Sequence, residues 1–364
     1  MPKVVISGYY GFHNSGDEAI LFAMLMALRD VVPDLEAVVL SRDPAYTARE
    51  FGVRSIPRDN PSQVFKALGD CDLLISGAGG LLQDINGPRS IIYYLGVVLM
   101  ARLLGKPVFF YAQGFGPVSS AIGKALVRQV ANRVNGITVR DPDSRDELSA
   151  LGVTRPLLEV TADPVLGLDP SLVDKRKGRE ILTRLGADNR PVAGISVRPW
   201  KGLDGYKEVI AKVADDLLEE GWQVLFVPMH CPGDVTTCRE VAARMRGSAL
   251  LLEEQADYMN IMSVTANLDL AVGMRLHFLI FSVIFGVPVV GIPYDPKVNR
   301  FLQSVGLPDG FNAEKLDYKE LSAGVKNVLN NRGRISGGLI AKLAPLRTEA
   351  LKNASLAAEL LRSV

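Results

Sequence analysis

Arg275 and His277 stand one residue apart in "LDLAVGMRLHFLIFSVIFGVP" (268–288), two polar side chains at the head of an otherwise apolar segment. The run ending at Gly273 reads as a strand and the residues after it as a helix. Free backbone N–H groups in that helix's first turn, with the charge of Arg275, would suit an anion. A neutral imidazole at His277 could act there as a base. Asp295, Lys297 and Arg300 follow the next strand in "GIPYDPKVNRF" (291–301), and Arg198 follows another in "SVRPW" (196–200). Arg140 closes a strand in "GITVRDPDS" (136–144), ahead of a helix capped by Asp141 or Asp143. A guanidinium in that place fits phosphate or carboxylate, with a surface ion pair as the simpler alternative.

A second group of candidates sits on glycine-bearing loops. Gly8, Gly11 and Gly16 frame "ISGYYGFHNSGDEAIL" (6–21), a spacing that is neither a dinucleotide nor a Walker A pattern. Asn14 or Ser15 can cap the helix that follows, and Asp17 and Glu18 complement its dipole. Asn14, Asp17 and Glu18 could equally accept hydrogen bonds from sugar hydroxyls, whereas carboxylates would repel a phosphate, so a polyol partner is favoured. "ISGAGGLLQD" (75–84) adds Gly77, Gly79, Gly80, Gln83 and Asp84 at a second strand end. "YAQGFGP" (111–117) adds Gln113, Gly114 and Gly116 at a third. One such turn is only a turn; three on one edge make a working rim. His13 lies in the first loop with no role that the sequence decides.

These residues need elements to hold them at one edge. Apolar runs "KVVISG", "EAVVLS", "DLLISG", "PVFFYAQG" and "GITVRD" alternate with helical patterns such as 17–30 and 90–104, the signature of a parallel sheet covered on both faces. A second series, "VAGISVRP", "QVLFVPM", "ALLLE", "LDLAVG" and "VPVVGIP", begins after a proline- and charge-rich stretch (162–191) that reads as a linker region. The expected fold class is α/β, with two doubly wound, Rossmann-like domains facing across a cleft. Residues 1–175 form the first, 176–335 the second, and amphipathic helices over 336–364 pack back across the interface. In such sheets ligands bind at the C-terminal strand ends, where every candidate above lies.

The whole composition narrows the function classes. At 364 residues the chain is too long for one ordinary core, and 48% hydrophobic residues supply two. Forty-one Lys and Arg against forty Asp and Glu leave a formal net charge of +1, so no global field exists to attract nucleic acid. Cys71, Cys231 and Cys238 make no disulfide framework, and "MPKVVISGYY" enters a strand with no signal pattern, which points to a cytoplasmic protein. Residues 276–293 read as a buried helix and strand, interrupted by Gly286 and Pro288, not as a membrane span. His230, Cys231 and Cys238 match no standard zinc spacing, so no metal or cofactor is expected. Without a GxSxG elbow, acyl chemistry is not expected either.

Taken in order, "GYYGFHNSGDEAIL", "SGAGGLLQD", "GFGP", "VRD", "TADP" and "GMRLH" resemble the polysaccharide pyruvyl transferase family, nearest to CsaB-like bacterial enzymes that pyruvylate cell-wall polymers. The motifs span about residues 5 to 300. The resemblance implies a GT-B-like fold and transfer of a pyruvyl group from phosphoenolpyruvate to a sugar as a ketal. For the CsaB-like type it implies an N-acetylmannosamine acceptor bridged across its 4- and 6-hydroxyls, in the polymer that S-layer-homology domains bind. The acceptor would be a lipid-linked or nucleotide-linked sugar, and a lipid-linked one would bring the protein to the inner membrane surface. It carries the donor site to Arg140, Arg275, His277 and Lys297, with His277 as general acid/base, and leaves the acceptor to the first domain's loops. Two rivals predict different behaviour: a GT-B UDP-sugar glycosyltransferase or epimerase, stabilised by UDP and not by phosphoenolpyruvate, and a non-catalytic glycan- or anion-binding module.

Overall fold

In a computed structural model, which describes residues 1–84, 87, 89–253 and 257–363, the Val/Ile/Leu runs form parallel strands joined by helices. β-Branched and aliphatic side chains fill both faces of such sheets, so the strands carry no polar alternation. The chain divides into two units. The first comprises Met1–His13, Asp17–Leu168 and Pro345–Val364; the second comprises Asn14–Gly16 and Asp169–Ala344. The boundaries expected from sequence, 175/176 and 335/336, fall inside helices (Lys175–Arg184 and Arg332–Arg362), and the chain passes between units beside them.

The first unit contains β1 (Lys3–Tyr10), β2 (Glu36–Ser41), β3 (Arg54–Pro57), β4 (Leu73–Ser76), β5 (Gly79–Leu82), β6 (Val108–Phe115), β7 (Gly136–Val139) and β8 (Leu157–Val160). Its helices are α1 (Ser15–Val31), α2 (Pro44–Phe51), α3 (Pro61–Gly69), α4 (Arg89–Leu103), α5 (Ala121–Ala131) and α6 (Pro142–Ala150). The strand order is β3-β2-β1-β4-β6-β7-β8, with β5 beside β6 and every pair parallel. The order reverses between β1 and β4, so the loops after these strands diverge and open a crevice at their C-terminal ends. Val5, Leu74, Phe110 and Ile137 from the strands pack against Leu68, Leu95 and Val127 from the helices to form the core.

The second unit contains β9 (Val192–Ser196), β10 (Gln223–Phe226), β11 (Leu250–Leu251), β12 (Leu270–Gly273) and β13 (Val289–Gly291), in the order β11-β10-β9-β12-β13, again all parallel. Around it lie α7 (Lys175–Arg184), α8 (Gly205–Glu219), α9 (Gly233–Ala242), α10 (Tyr258–Thr265), α11 (Leu276–Ile284), α12 (Pro296–Ser304), α13 (Tyr318–Asn330) and α14 (Arg332–Arg362). Here the reversal falls between β9 and β12. The stretch read as a linker is built into the fold: Pro164, Val165 and Leu166 form a buried 3₁₀ turn and α7 buries Ile181 and Leu182. Its prolines open helical turns, with Asp163 and Asp169 as their caps, which is why it carries no strand. The C-terminal segment is one helix with Pro345 inside it, the residue at which the chain rejoins the first unit. Among the described residues no helix is long and apolar enough to cross a membrane.

Candidate active site

Three neighbouring strands of the second unit each deliver a cation at the C-terminal edge. Arg198 follows β9, Arg275 follows β12, and Lys297 lies in the first turn of α12, just after β13; β12 pairs with both of the others. They converge on Tyr294. The Arg198 guanidinium donates from Nη1 to the Tyr294 hydroxyl (2.9 Å) and lies 4.6 Å from its ring centroid. Lys297 Nζ is 5.2 Å from the same ring and 3.6 Å from Asp295 Oδ2. Burial alone raises the Tyr294 phenol's pKa, and Asp295 adds to that, yet Lys297, Arg198 and Arg275 outweigh both and the net direction is downward. A phenol lowered against its own burial marks a strongly positive local field.

Arg275 is the N-cap residue of α11, and His277 is the second residue of that helix. The remaining residues of α11 are buried, so packing of its apolar faces fixes where its N-terminus points. Arg275 is not a loose charge: its Nε and Nη2 both donate to the fully buried Asp234 carboxylate, the Nε contact at 2.8 Å. Asp234 also accepts from the backbone N–H groups of Met229 and His230, each at 3.1 Å. The anchored carboxylate thus holds the fork of Arg275 in one orientation.

The same 229–230 backbone carries Asn14–Gly16. Ser15 N–H donates to Met229 O (2.9 Å), Asn14 pairs with His230 in an antiparallel bridge, and Asn14 Oδ1 caps α1 by accepting from Gly16 N–H (3.2 Å). A Cβ built on Gly16 would overlap His277 Nδ1 and come within 2.9 Å of the His277 Cβ. Glycine at position 16 is therefore what leaves room for the imidazole. Asn14, expected among the first domain's acceptor residues, instead segregates with the second unit. Gly16→Ala removes no functional group but must turn His277 out of place; acceptor-dependent turnover should fall about 10²-fold, and a steady-state rate equal to wild type would show that the ring position does not matter.

In the first unit Arg140 follows β7 and is buried, its side chain 7% exposed, with Nη1 3.0 Å from Asp163 Oδ2. Its Nε is 3.9 Å from Asp141, the N-cap residue of α6. A Cβ on Gly114 would lie 2.6 Å from Arg140 Nη2, so that glycine lets the guanidinium rest against β6. The pair is neither a surface contact nor an unengaged cation. Gln113 is fully buried; its amide nitrogen donates to the carbonyls of Gly77 and Ser76, which ties β6 to the end of β4, while its amide oxygen is buried with no hydrogen-bond partner.

At the β1/β4 reversal, Asp17 and Gly79 come together: a Cβ on Gly79, whose φ is +98°, would lie 3.4 Å from Asp17 Oδ1. Gly80 and Gln83 are neighbours on β5 and the loop after it, with a Gly80 Cβ 3.6 Å from Gln83 Nε2. Asp84 accepts from the N–H groups of Ser119 and Ser120, both at 2.8 Å, and joins two loops of this edge. His13 adopts φ +56°, packs on Tyr46 (4.6 Å) and sits 3.8 Å from Asp43 Oδ2.

Glu18 faces inward and is 1% exposed, with Oε1 accepting from Gly11 N–H (2.9 Å). Burial pushes its carboxyl up to about 8; the Gly11 and His13 N–H groups oppose this, and the charges of Asp17 and Glu50 add to it. The folded value lies above the ordinary one near 4.5, so the stability contributed by the protonated form is complete below 4.5 and is lost as pH rises through about 8. Urea midpoints should fall across that window for the wild type, and Glu18→Gln should remove the fall. Equal slopes for the two proteins would refute a neutral Glu18.

Two doubly wound units, each with candidate residues at its own strand-order reversal, define a GT-B-like protein. Solved structures agree in fold: HepE from Anabaena in complex with UDP-glucose superposes with a TM-score of 0.69 at 15% identity over 100% of both chains. MnaA from S. aureus with UDP gives 0.69 at 14% identity, covering 95% of this chain and 92% of the other. UDP-GlcNAc 2-epimerase from Neisseria meningitidis gives 0.66 at 10% identity, over 100% of both. The chain belongs to the polysaccharide pyruvyl transferase family, whose model matches residues 14–296, and it is a transferase. The amylovoran biosynthesis protein AmsJ of Erwinia amylovora is 22% identical over 395 aligned positions, 90% of this chain and 92% of the relative.

Arg198, Arg275, His277 and Lys297, all legible in the sequence as residues that follow strands, lie at one edge of the second unit; Asp234 and Tyr294 are not among the candidates. Tyr294 stands in the quoted "YDP" beside Lys297, where an aromatic next to cations is a usable signal; Asp234 has no local signal at all.

Proposed function

We propose that this protein transfers the pyruvyl group of phosphoenolpyruvate to two hydroxyls of one sugar, forming a ketal and releasing phosphate. The observation that carries the reading is the convergence of Arg198, Arg275 and Lys297 on Tyr294 from the ends of three adjacent strands. A small donor with both a phosphate and a carboxylate needs such a cluster, and a neutral sugar does not.

Chemically, a proton adds to the methylene carbon of phosphoenolpyruvate and C2 becomes oxocarbenium-like. One sugar hydroxyl adds to C2, the C2–O bond to phosphate breaks, and a second hydroxyl of the same sugar closes the ketal. The two hydroxyl protons balance the new methyl hydrogen and the released phosphate. His277 is assigned as the general acid/base. Arg275, oriented by Asp234, and Lys297 bind the donor and stabilise departing phosphate. Arg140, held by Asp163, is kept with the donor on the strength of the family resemblance. The first unit is assigned to the acceptor through Asp17 and Gly79, with Gly80 and Gln83 beside them. The finer reading of the acceptor is a lipid-linked N-acetylmannosamine ketalised at O4 and O6, met at the cytosolic face of the membrane.

The test is release of inorganic phosphate from phosphoenolpyruvate with and without a synthetic diphosphate-linked N-acetylmannosamine. Acceptor-dependent release is expected. No release with any acceptor, together with thermal stabilisation by UDP-sugars, would replace this reading by the UDP-sugar one, for which the fold relatives with bound UDP or UDP-glucose are the specific motive.

A further inference from the structure

The second unit has a pocket of about 550 Å³, open to solvent on one side, bounded by the end of β13, by α12 and α13, and by the first half of α14. It lies within the size range of small-molecule sites, roughly 300–1,000 Å³. Its walls are mostly apolar: Leu302 and Val305 from the end of α12, Val328 from α13 and Leu339 from α14. Gly338 also lines it at an exposed position, and a Cβ there would meet nothing within 4 Å, so a larger side chain can be accommodated at this edge. The apolar part of this lining favours hydrocarbon.

Two cations stand among the remaining lining residues. Arg334 and Lys342, eight residues apart on α14, both line the cavity and are exposed, and neither forms an ion pair among the described residues. The carboxylate among the lining residues, Asp309, accepts from Gln303 Nε2 (2.8 Å), and Asn331 and Asn327 bond to one another. From Arg332 to Ala344 the helix carries Arg332, Arg334 and Lys342 and no acidic residue. An apolar wall beside two cations and one carboxylate has a net positive edge, complementary to a molecule with a hydrocarbon chain and an anionic head.

We propose that this cavity binds a single-chain phosphate-headed amphiphile, its hydrocarbon between α12, α13 and α14 and its phosphate against Arg334 and Lys342. The site is separate from Tyr294 and its cations and does not depend on the pyruvyl-transfer reading.

The probe is dodecyl phosphate below its micelle concentration, titrated calorimetrically into the full chain. One-to-one binding is expected, which inorganic phosphate at matched ionic strength does not displace. Gly338→Leu fills the cavity from a helical position with open space, and should weaken binding at least tenfold while leaving the melting temperature at or above wild type. The double variant Arg334→Gln/Lys342→Gln changes only exposed side chains. It should weaken dodecyl phosphate about tenfold at low salt and less at high salt, with dodecanol binding unchanged. Binding that is absent in the wild type, that survives Gly338→Leu intact, that inorganic phosphate displaces, or that dodecyltrimethylammonium matches would each overturn the proposal.

Discussion

Alanine at position 277 is expected to lower acceptor-dependent phosphate release from phosphoenolpyruvate by about 10²–10⁴-fold, the usual contribution of a positioned general acid/base. His277 is the partly buried second residue of α11, and its replacement leaves in place the buried face of that helix, from Phe278 to Ile284. The denaturation midpoint should therefore stay near that of the wild type, which separates a chemical defect from unfolding. Added free imidazole should restore part of the rate. Undiminished turnover in His277→Ala would remove the centre of the mechanism, and another group would have to move the proton.

Asp234→Ala should cost about 3–5 kcal/mol of unfolding free energy, because removing one partner of a buried pair strands the other charge. Here the loss is compounded. Asp234 is fully buried and its carboxylate serves Arg275 and the Met229 and His230 N–H groups at once. The loop it holds also carries Asn14–Gly16, and through Gly16 the space for His277. Urea denaturation checks the size of the effect. A second substitution, Arg275→Met, should recover part of the stability lost in Asp234→Ala, since an apolar side chain leaves no buried charge without its counterion. It should recover no activity. A loss below 1 kcal/mol for Asp234→Ala would mean that the pair is far more hydrated than its burial implies.

The fold is legible where burial is complete. β1, β2, β4, β6, β7, β9, β10, β12 and β13 all coincide with apolar runs, because strands covered on both faces have no position free for a polar residue. β3 and β8 escape the pattern for the opposite reason: they are the edges of their sheet and stand half-exposed, so "RSIP" and "LLEV" show no continuous apolar run. β5 escapes because two of its four residues are glycines that read as a turn.

The site divides in the same way. Arg275, His277 and Lys297 can be found from their place after a strand, which is a local property. Their partners cannot: Asp234 lies 41 residues from Arg275, and Asp163 lies 23 from Arg140. Those contacts arise only when the sheet places distant strand ends side by side. Gln113 and Glu18 look like ligand groups in sequence because both stand at strand or helix ends. Whether an amide or a carboxyl there points outward or inward is decided by the neighbouring backbone groups that engage it.

Neither unit is a continuous length of chain, and that bears on how the protein can be made. The first unit needs Pro345–Val364: Asn353 in that segment is fully buried, accepts from Thr161 Oγ1 (2.8 Å) and donates to Ala162 O (3.2 Å). The second takes Asn14–Gly16 from the other end of the sequence. A ribosome delivering the chain from its N-terminus therefore cannot finish the first unit before the whole second unit has emerged, and the usual domain-by-domain order of vectorial folding does not apply. A cut between Leu168 and Asp169 would likewise release two fragments, each lacking a strip that the other carries.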